Sequence, residues 1–208
     1  MYMKLQNRYD TLIIIGAWNR AIFTPDWVGK FIFPGEEMTV EIPVDNFEAS
    51  PRYSSNGLSV NILNQKLIFT INNPSQESFQ QIGLKALSVC RALAHTPLLC
   101  FGINHFFQCD KDEIEKTNVF DFSNYELLKE KGYELKAMKN QQSLQFGHHI
   151  LNVIWSLENE KVTLEFNNHY DVAGVESFVS VFDENLLYDR LNNSIGYIKN
   201  IYDLNVES

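Results

Sequence analysis

The stretch Leu58-Ser59-Val60-Asn61-Ile62-Leu63-Asn64-Gln65-Lys66-Leu67-Ile68-Phe69-Thr70-Ile71-Asn72 decides the fold class. Placing Asn64-Gln65 in a two-residue turn sets Leu58, Val60 and Ile62 on one face with Leu67, Phe69 and Ile71. This is an antiparallel hairpin with one apolar side, and that side needs a layer packed on it. The next residues supply the layer. After Asn73-Pro74, Phe79, Ile82, Ala86, Val89 and Leu93 recur at spacings of three and four, the pattern of an amphipathic helix. Leu84 and Leu87 fall off this stripe, so the helix is covered on a second side or these leucines form an interface.

Toward the N-terminus, Leu12-Ile13-Ile14-Ile15 does not alternate and reads as a strand buried on both faces. Thr24 and Pro25 open a short helix as N-cap and first-turn proline, and Pro34-Gly35 ends it. Met38, Val40, Ile42 and Val44 alternate as a half-buried strand, which Pro43 assigns to an edge. Toward the C-terminus, Thr96-Pro97 ends the long helix, Leu98 to Cys109 forms a long strand, and charged Asp110 to Lys116 forms a loop. Ser123-Asn124-Tyr125-Glu126 fits a capping box for a short helix closed by Gly132.

A second hairpin runs from about Ser143 to Tyr170. Its apolar positions switch from even (Leu144, Phe146) to odd (Leu151, Val153, Trp155), and a bulge at Gly147 would keep both sets facing the core. Asp183 caps a last helix whose stripe is Leu187, Leu191, Ile195, Ile198 and Tyr202, with Phe182 and Leu187 as a hydrophobic staple. Val175 to Val181 fits either strand or helix.

Two stretches are alike. Asn64-Gln65-Lys66-Leu67-Ile68-Phe69-Thr70-Ile71-Asn72-Asn73 overlays Asn159-Glu160-Lys161-Val162-Thr163-Leu164-Glu165-Phe166-Asn167-Asn168, and Leu12 to Gly16 overlays Leu98 to Gly102. The expected fold is therefore α+β: a single compact domain of residues 1–208 whose halves, 1–97 and 98–208, each read β-α-β-β-β-α as a tandem duplication. One curved antiparallel sheet would then carry two long helices on one face. In outline this architecture is similar to the saddle of the TATA-box-binding protein family, a resemblance that carries no function with it.

Composition excludes several function classes. The chain of 208 residues has a formal net charge of −9 and a hydrophobic fraction of 45%. An acidic balance disfavours nucleic acid and anionic membranes, which need a concentrated basic surface. Cys90, Cys100 and Cys109 form neither a disulfide framework nor a zinc pattern and read as buried thiols. No signal peptide or membrane span is visible, so a cytoplasmic location is expected.

Site candidates come from strand parity. His148, His169 and Asp171 share the outer face of the second hairpin if its turn falls near Glu158 to Glu160, and two imidazoles with a carboxylate could bind zinc. His105 alternates with Phe101, Ile103 and Phe107 as a core histidine, on the opposite face from Cys100. Trp18, Asn19, Arg20, Asp26 and Trp27 form a polar-aromatic cluster, and Trp18, Arg20, Trp27, Leu84 and Leu87 are the interface candidates. The acidic run Asp110, Asp112, Glu113 and Glu115 lacks calcium-loop spacing. No phosphate loop, dinucleotide fingerprint, G-x-S-x-G or H-E-x-x-H is present, and no cofactor is expected. The leading expectation is a non-enzymatic protein-protein interaction or self-associating module. The alternatives are a binder of small apolar ligands lined by Phe101, Phe107 and Trp155, and a metal-dependent hydrolase using His148, His169 and Asp171.

Overall fold

The computed structural model describes residues 2–6, 10–43, 50–111, 114, 117, 119–120 and 124–207. The fold is α+β, with a large antiparallel sheet that does not close on itself and five α-helices among the described residues. In chain order the first half contains β1 (Tyr2–Gln6), β2 (Leu12–Gly16), α1 (Pro25–Phe31), β3 (Thr39–Glu41), β4 (Arg52–Ser55), β5 (Leu58–Ile62), β6 (Lys66–Ile71) and α2 (Gln76–Ala92). The second contains β7 (Leu98–Asp110), α3 (Tyr125–Glu130), β8 (Ala137–Phe146), β9 (His149–Glu158), β10 (Lys161–Asp171), α4 (Gly174–Val181), α5 (Leu186–Tyr202) and β11 (Asn205–Glu207).

The chain forms two compact units. One comprises Asn7–Asn104 and Asn168–Leu191. Its strands follow the order β3-β4-β5-β6-β2-β7. The decisive hairpin forms in the expected register, pairing Leu58 with Ile71, Val60 with Phe69 and Ile62 with Leu67. β2 is a central strand between β6 and β7. Leu12 and Ile14 are buried while Ile13 and Ile15 are half-buried, so its apolar run reflects partial cover on the second face.

Several local expectations change. Among the described residues the strand read over 38–44 is only Thr39–Glu41; Ile42 stands 69% exposed, and Pro43 has no N–H to give a ladder. Val44 lies outside the described residues. An additional strand, β4, precedes the hairpin and joins β5 through Asn56-Gly57, both with positive φ (48° and 77°). Asn-Gly is the residue pair that tolerates a type I′ turn, so this strand pair was signalled in the sequence. Helix α2 starts two residues later than Asn73-Pro74 suggests, at Gln76: Ser75 and Ser78 cap each other reciprocally.

The other unit comprises Met1–Gln6, His105–Asn167 and Asn192–Ser208. β1 pairs antiparallel with β7 (Lys4 opposite Gln108) and parallel with β11 (Tyr2 opposite Asn205). The order β10-β9-β8 continues from β7. Phe107 meets Phe166 edge-on at 5.8 Å, and Trp155 meets Tyr202 at 5.0 Å. Gly147 is not a bulge. Gly147-His148 is a two-residue turn, and Phe146 pairs with His149, Leu144 with Leu151. The parity switch follows because cross-strand partners share a face. Asn159-Glu160, also with positive φ, turns β9 into β10. Residues 174–181 are helix, and Asp183 accepts from the Asn185 N–H just ahead of α5. The Ser123 capping box falls outside the described residues.

The two halves share a connection order. β2 lies against β6, the last strand of β4-β5-β6, and β7 lies against β10, the last strand of β8-β9-β10.

At Gly83 in α2 a Cβ would meet the Glu184 backbone at 2.7 Å. Helix propensity alone favours alanine there by about 1 kcal/mol. The close backbone approach reverses the sign, because neither main chain can yield cheaply. Gly83→Ala is expected to lower stability by about 1–3 kcal/mol in a urea titration followed by circular dichroism.

Candidate functional site

β8 reads Ala137-Met138-Lys139-Asn140-Gln141-Gln142-Ser143-Leu144-Gln145-Phe146. All ten residues pair with β9 without a register shift, from Ala137 opposite Glu158 to Phe146 opposite His149. Even positions share a face with Val153, Trp155 and Leu157, which are buried. Toward the β8–β9 turn that face carries Leu144, 37% exposed, and Phe146, 54% exposed, beside the half-buried Leu151 and the buried His149 of β9. On the reverse face Ile150 is also exposed. Every residue of β8 from Gln141 to Phe146 is exposed, so this part of the strand meets solvent on both faces.

Its geometry is held by side chains as well as the ladder. Ser143 Oγ donates to Asn152 Oδ1 at 2.7 Å, and Asn152 Nδ2 donates to Asn167 Oδ1 at 3.0 Å, a polar row across β8, β9 and β10. Gln145 Nε2 donates to the Gly147 and His149 carbonyls and braces the turn. At the inner end Asn140 Nδ2 donates to the Val119 carbonyl. On its far side β8 has no partner strand among the described residues. Alternate N–H and C=O groups of an antiparallel edge strand point outward and remain available.

The expected site residues are distributed as follows. His148 is exposed in the β8–β9 turn. His169 Nε2 lies 3.1 Å from Asp171 Oδ1, and Asp171 is largely exposed. Among the described residues, no three His, Cys, Asp or Glu side chains gather as a metal site. His105 is buried. Cys90 and Cys109 are buried and Cys100 half-buried. Burial pushes the Cys90 thiol up to about 12, and burial followed by the charge of Asp171 raises that of Cys100. Both effects favour the thiol over the nucleophilic thiolate. Asp112, Glu113 and Glu115 lie outside the described residues.

Of the interface candidates, Leu84 is exposed, Arg20 and Trp27 half-buried, and Trp18 and Leu87 buried. Trp18 Nε1 donates to the Ile14 carbonyl at 3.0 Å, and Arg20 reaches Asn64 Oδ1 at 3.3 Å. Phe101 stacks on Tyr170 at 4.5 Å, while Phe107 and Trp155 meet the rings described above. None of these three residues lines the clefts beside Arg20, Lys111 or Lys85.

The largest of these clefts, about 550 Å³, contains a residue that the sequence pattern does not single out. Lys85, on α2, is 6% exposed. Its Nζ lies 2.5 Å from Glu36 Oε1 and donates to the Ile32 carbonyl at 2.9 Å, 4.7 Å from the centre of the Phe33 ring. Ser88, one turn along, donates to the Phe31 carbonyl at 2.7 Å. Two side chains of α2 thus satisfy carbonyls at the C-terminus of α1. Partial burial pushes the Glu36 carboxyl up. Hydrogen bonds from Lys85, Ser55 and Asn56 and the charge of Lys85 more than offset this, leaving it below its ordinary value. The arrangement is a structural latch.

A lowered carboxyl pKa gives stability that is complete above the unfolded value and lost as pH falls through the folded one. Glu36→Gln is therefore expected to flatten the acid limb of the stability profile below about pH 4.5. At neutral pH it should cost about 1–3 kcal/mol, because the buried Lys85 loses its carboxylate partner. Pairing Lys85→Met with Glu36→Met should recover only part of that loss in chemical denaturation, because the Ile32 carbonyl then lacks its Lys85 donor.

Comparison of the chain with protein-family models and with curated proteins gave no match in either case.

Proposed function

We propose that the chain is a non-enzymatic module that binds protein through the outer end of the β8–β9 hairpin. The observation that carries this reading is the exposure of every residue from Gln141 to Phe146 on a strand fully paired with β9 and, among the described residues, without a partner strand on its outer edge. Extended segments add to such an edge through main-chain hydrogen bonds, and exposed side chains on the strand supply selectivity. Leu144, Phe146 and Ile150 are the apolar contacts available there. The absence of catalytic sequence signatures and the raised thiol pKa values accord with a binding role.

The recurring connection order supports the tandem duplication read from the sequence. It also isolates what differs between the halves. In the first, β3 covers the outer edge of β4; in the second, β8 ends the order. The edge that lost its cover in this comparison is the one carrying the exposed apolar side chains.

The test is affinity purification of the tagged full-length chain from its own host, wild type beside Leu144→Ser/Phe146→Ser. A protein retained in stoichiometric amount by wild type, a second copy included, should fall at least about tenfold with the variant, a change of about 1.4 kcal/mol. Equal retention by both proteins, or a wild type that retains nothing and stays monomeric, overturns the proposal.

A further inference from the structure

Resting on that reading, we infer that the occupant of the β8 edge is β8 of a second copy, added antiparallel about a twofold axis at Gln142. Three observations lead there. The first is charge. The chain carries a net −9, so two copies repel except where acidic residues are absent. β8 has no acidic residue, and Lys139 is its single charged side chain. A basic partner, otherwise suited to an acidic protein, finds no carboxylate on this strand.

The second observation is self-complementarity. An antiparallel pair joins residues on the same face, so a twofold axis at Gln142 sets Gln142 opposite itself, Asn140 opposite Leu144 and Met138 opposite Phe146. On the other face Gln141 meets Ser143 and Lys139 meets Gln145. Both ends thus gain an apolar Met138–Phe146 pair, covering a half-buried and a 54% exposed side chain. No like charges oppose each other, and the two Lys139 residues stand about 20 Å apart along the strands, well beyond the screening length.

The third is the contrast between the outermost strands of the sheet. β3 is three residues long, carries exposed Thr39 and Glu41, and is followed by Pro43. Those are the devices that keep an edge from pairing. β8 is ten residues long and has no proline and no bulge. A single strand pair of this length is a small interface, with an expected dissociation constant of about 1–100 µM.

Sedimentation velocity of the full-length chain over about 1–200 µM tests the inference, the range being set by that affinity. Wild type should pass from monomer to dimer. Gln142→Glu, which sets two carboxylates directly opposite, should weaken the dimer at least about tenfold while leaving the thermal unfolding midpoint of the monomer unchanged. Gln142→Cys should form a disulfide-linked dimer under mild oxidation, because directly opposed strand residues fall within disulfide reach; Glu176→Cys on α4 should not. A wild type that stays monomeric throughout, or a dimer indifferent to Gln142→Glu, overturns self-pairing. The broader protein-binding proposal survives the monomer result only if wild type still retains a different protein that Leu144→Ser/Phe146→Ser loses.

Discussion

A two-residue turn fixes the register of the strands it joins, and in this protein register decides which side chains are core and which are surface. Moving a strand by one residue would send every inward side chain to the other face. Asn56-Gly57 and Asn159-Glu160 adopt positive φ at both turn positions, which matches the natural twist of a hairpin. Gly147-His148 does the same work between β8 and β9. Through these turns Val153, Trp155 and Leu157 share a face with Leu144 and Phe146. Along β8 that face passes from the half-buried Met138 and Asn140 to the exposed Gln142, Leu144 and Phe146.

Helix α2 illustrates a second constraint, that buried backbone carbonyls need partners. Lys85 and Ser88 reach the last carbonyls of α1, and Glu36 neutralises the ammonium. A hydrophobic side chain at position 85 would pack there but would leave the Ile32 carbonyl without this donor. The same helix shows why small residues matter where main chains meet: Gly83 admits the Glu184 backbone to a distance that no side chain permits.

The proposed binding role rests on how the polar groups are disposed. In the Lys85 cleft Lys85 and Asn56 both bond the Glu36 carboxylate, and two of the thiols are held in their neutral form by burial and, for Cys100, by the neighbouring charge of Asp171. At the β8 edge main-chain donors and acceptors remain, flanked by amides and a few apolar side chains. Under the proposed reading an extended segment would add to this edge through main-chain hydrogen bonds, with little dependence on side-chain charge.

The sequence alone determined the α+β class, the Leu58–Ile71 hairpin with its register, the Thr24 cap and the stripe of α2. These depend on periodicity, turn residues and caps, which act between neighbours in the chain. It also held the Asn56-Gly57 signal for β4, which is local and legible. The parity switch at Gly147 was legible too, but a bulge and a turn produce the same pattern, and only the pairing of Phe146 with His149 separates them. Tertiary structure alone decided that Lys85 is buried, because its position on the helix gives no hint of the α1 carbonyls across from it. Likewise Leu87 is buried and Leu84 exposed, although both leave the stripe. That β8 has no partner strand on its outer side among the described residues belongs to the same class of fact: cover is a relation between distant segments, and no local pattern encodes it.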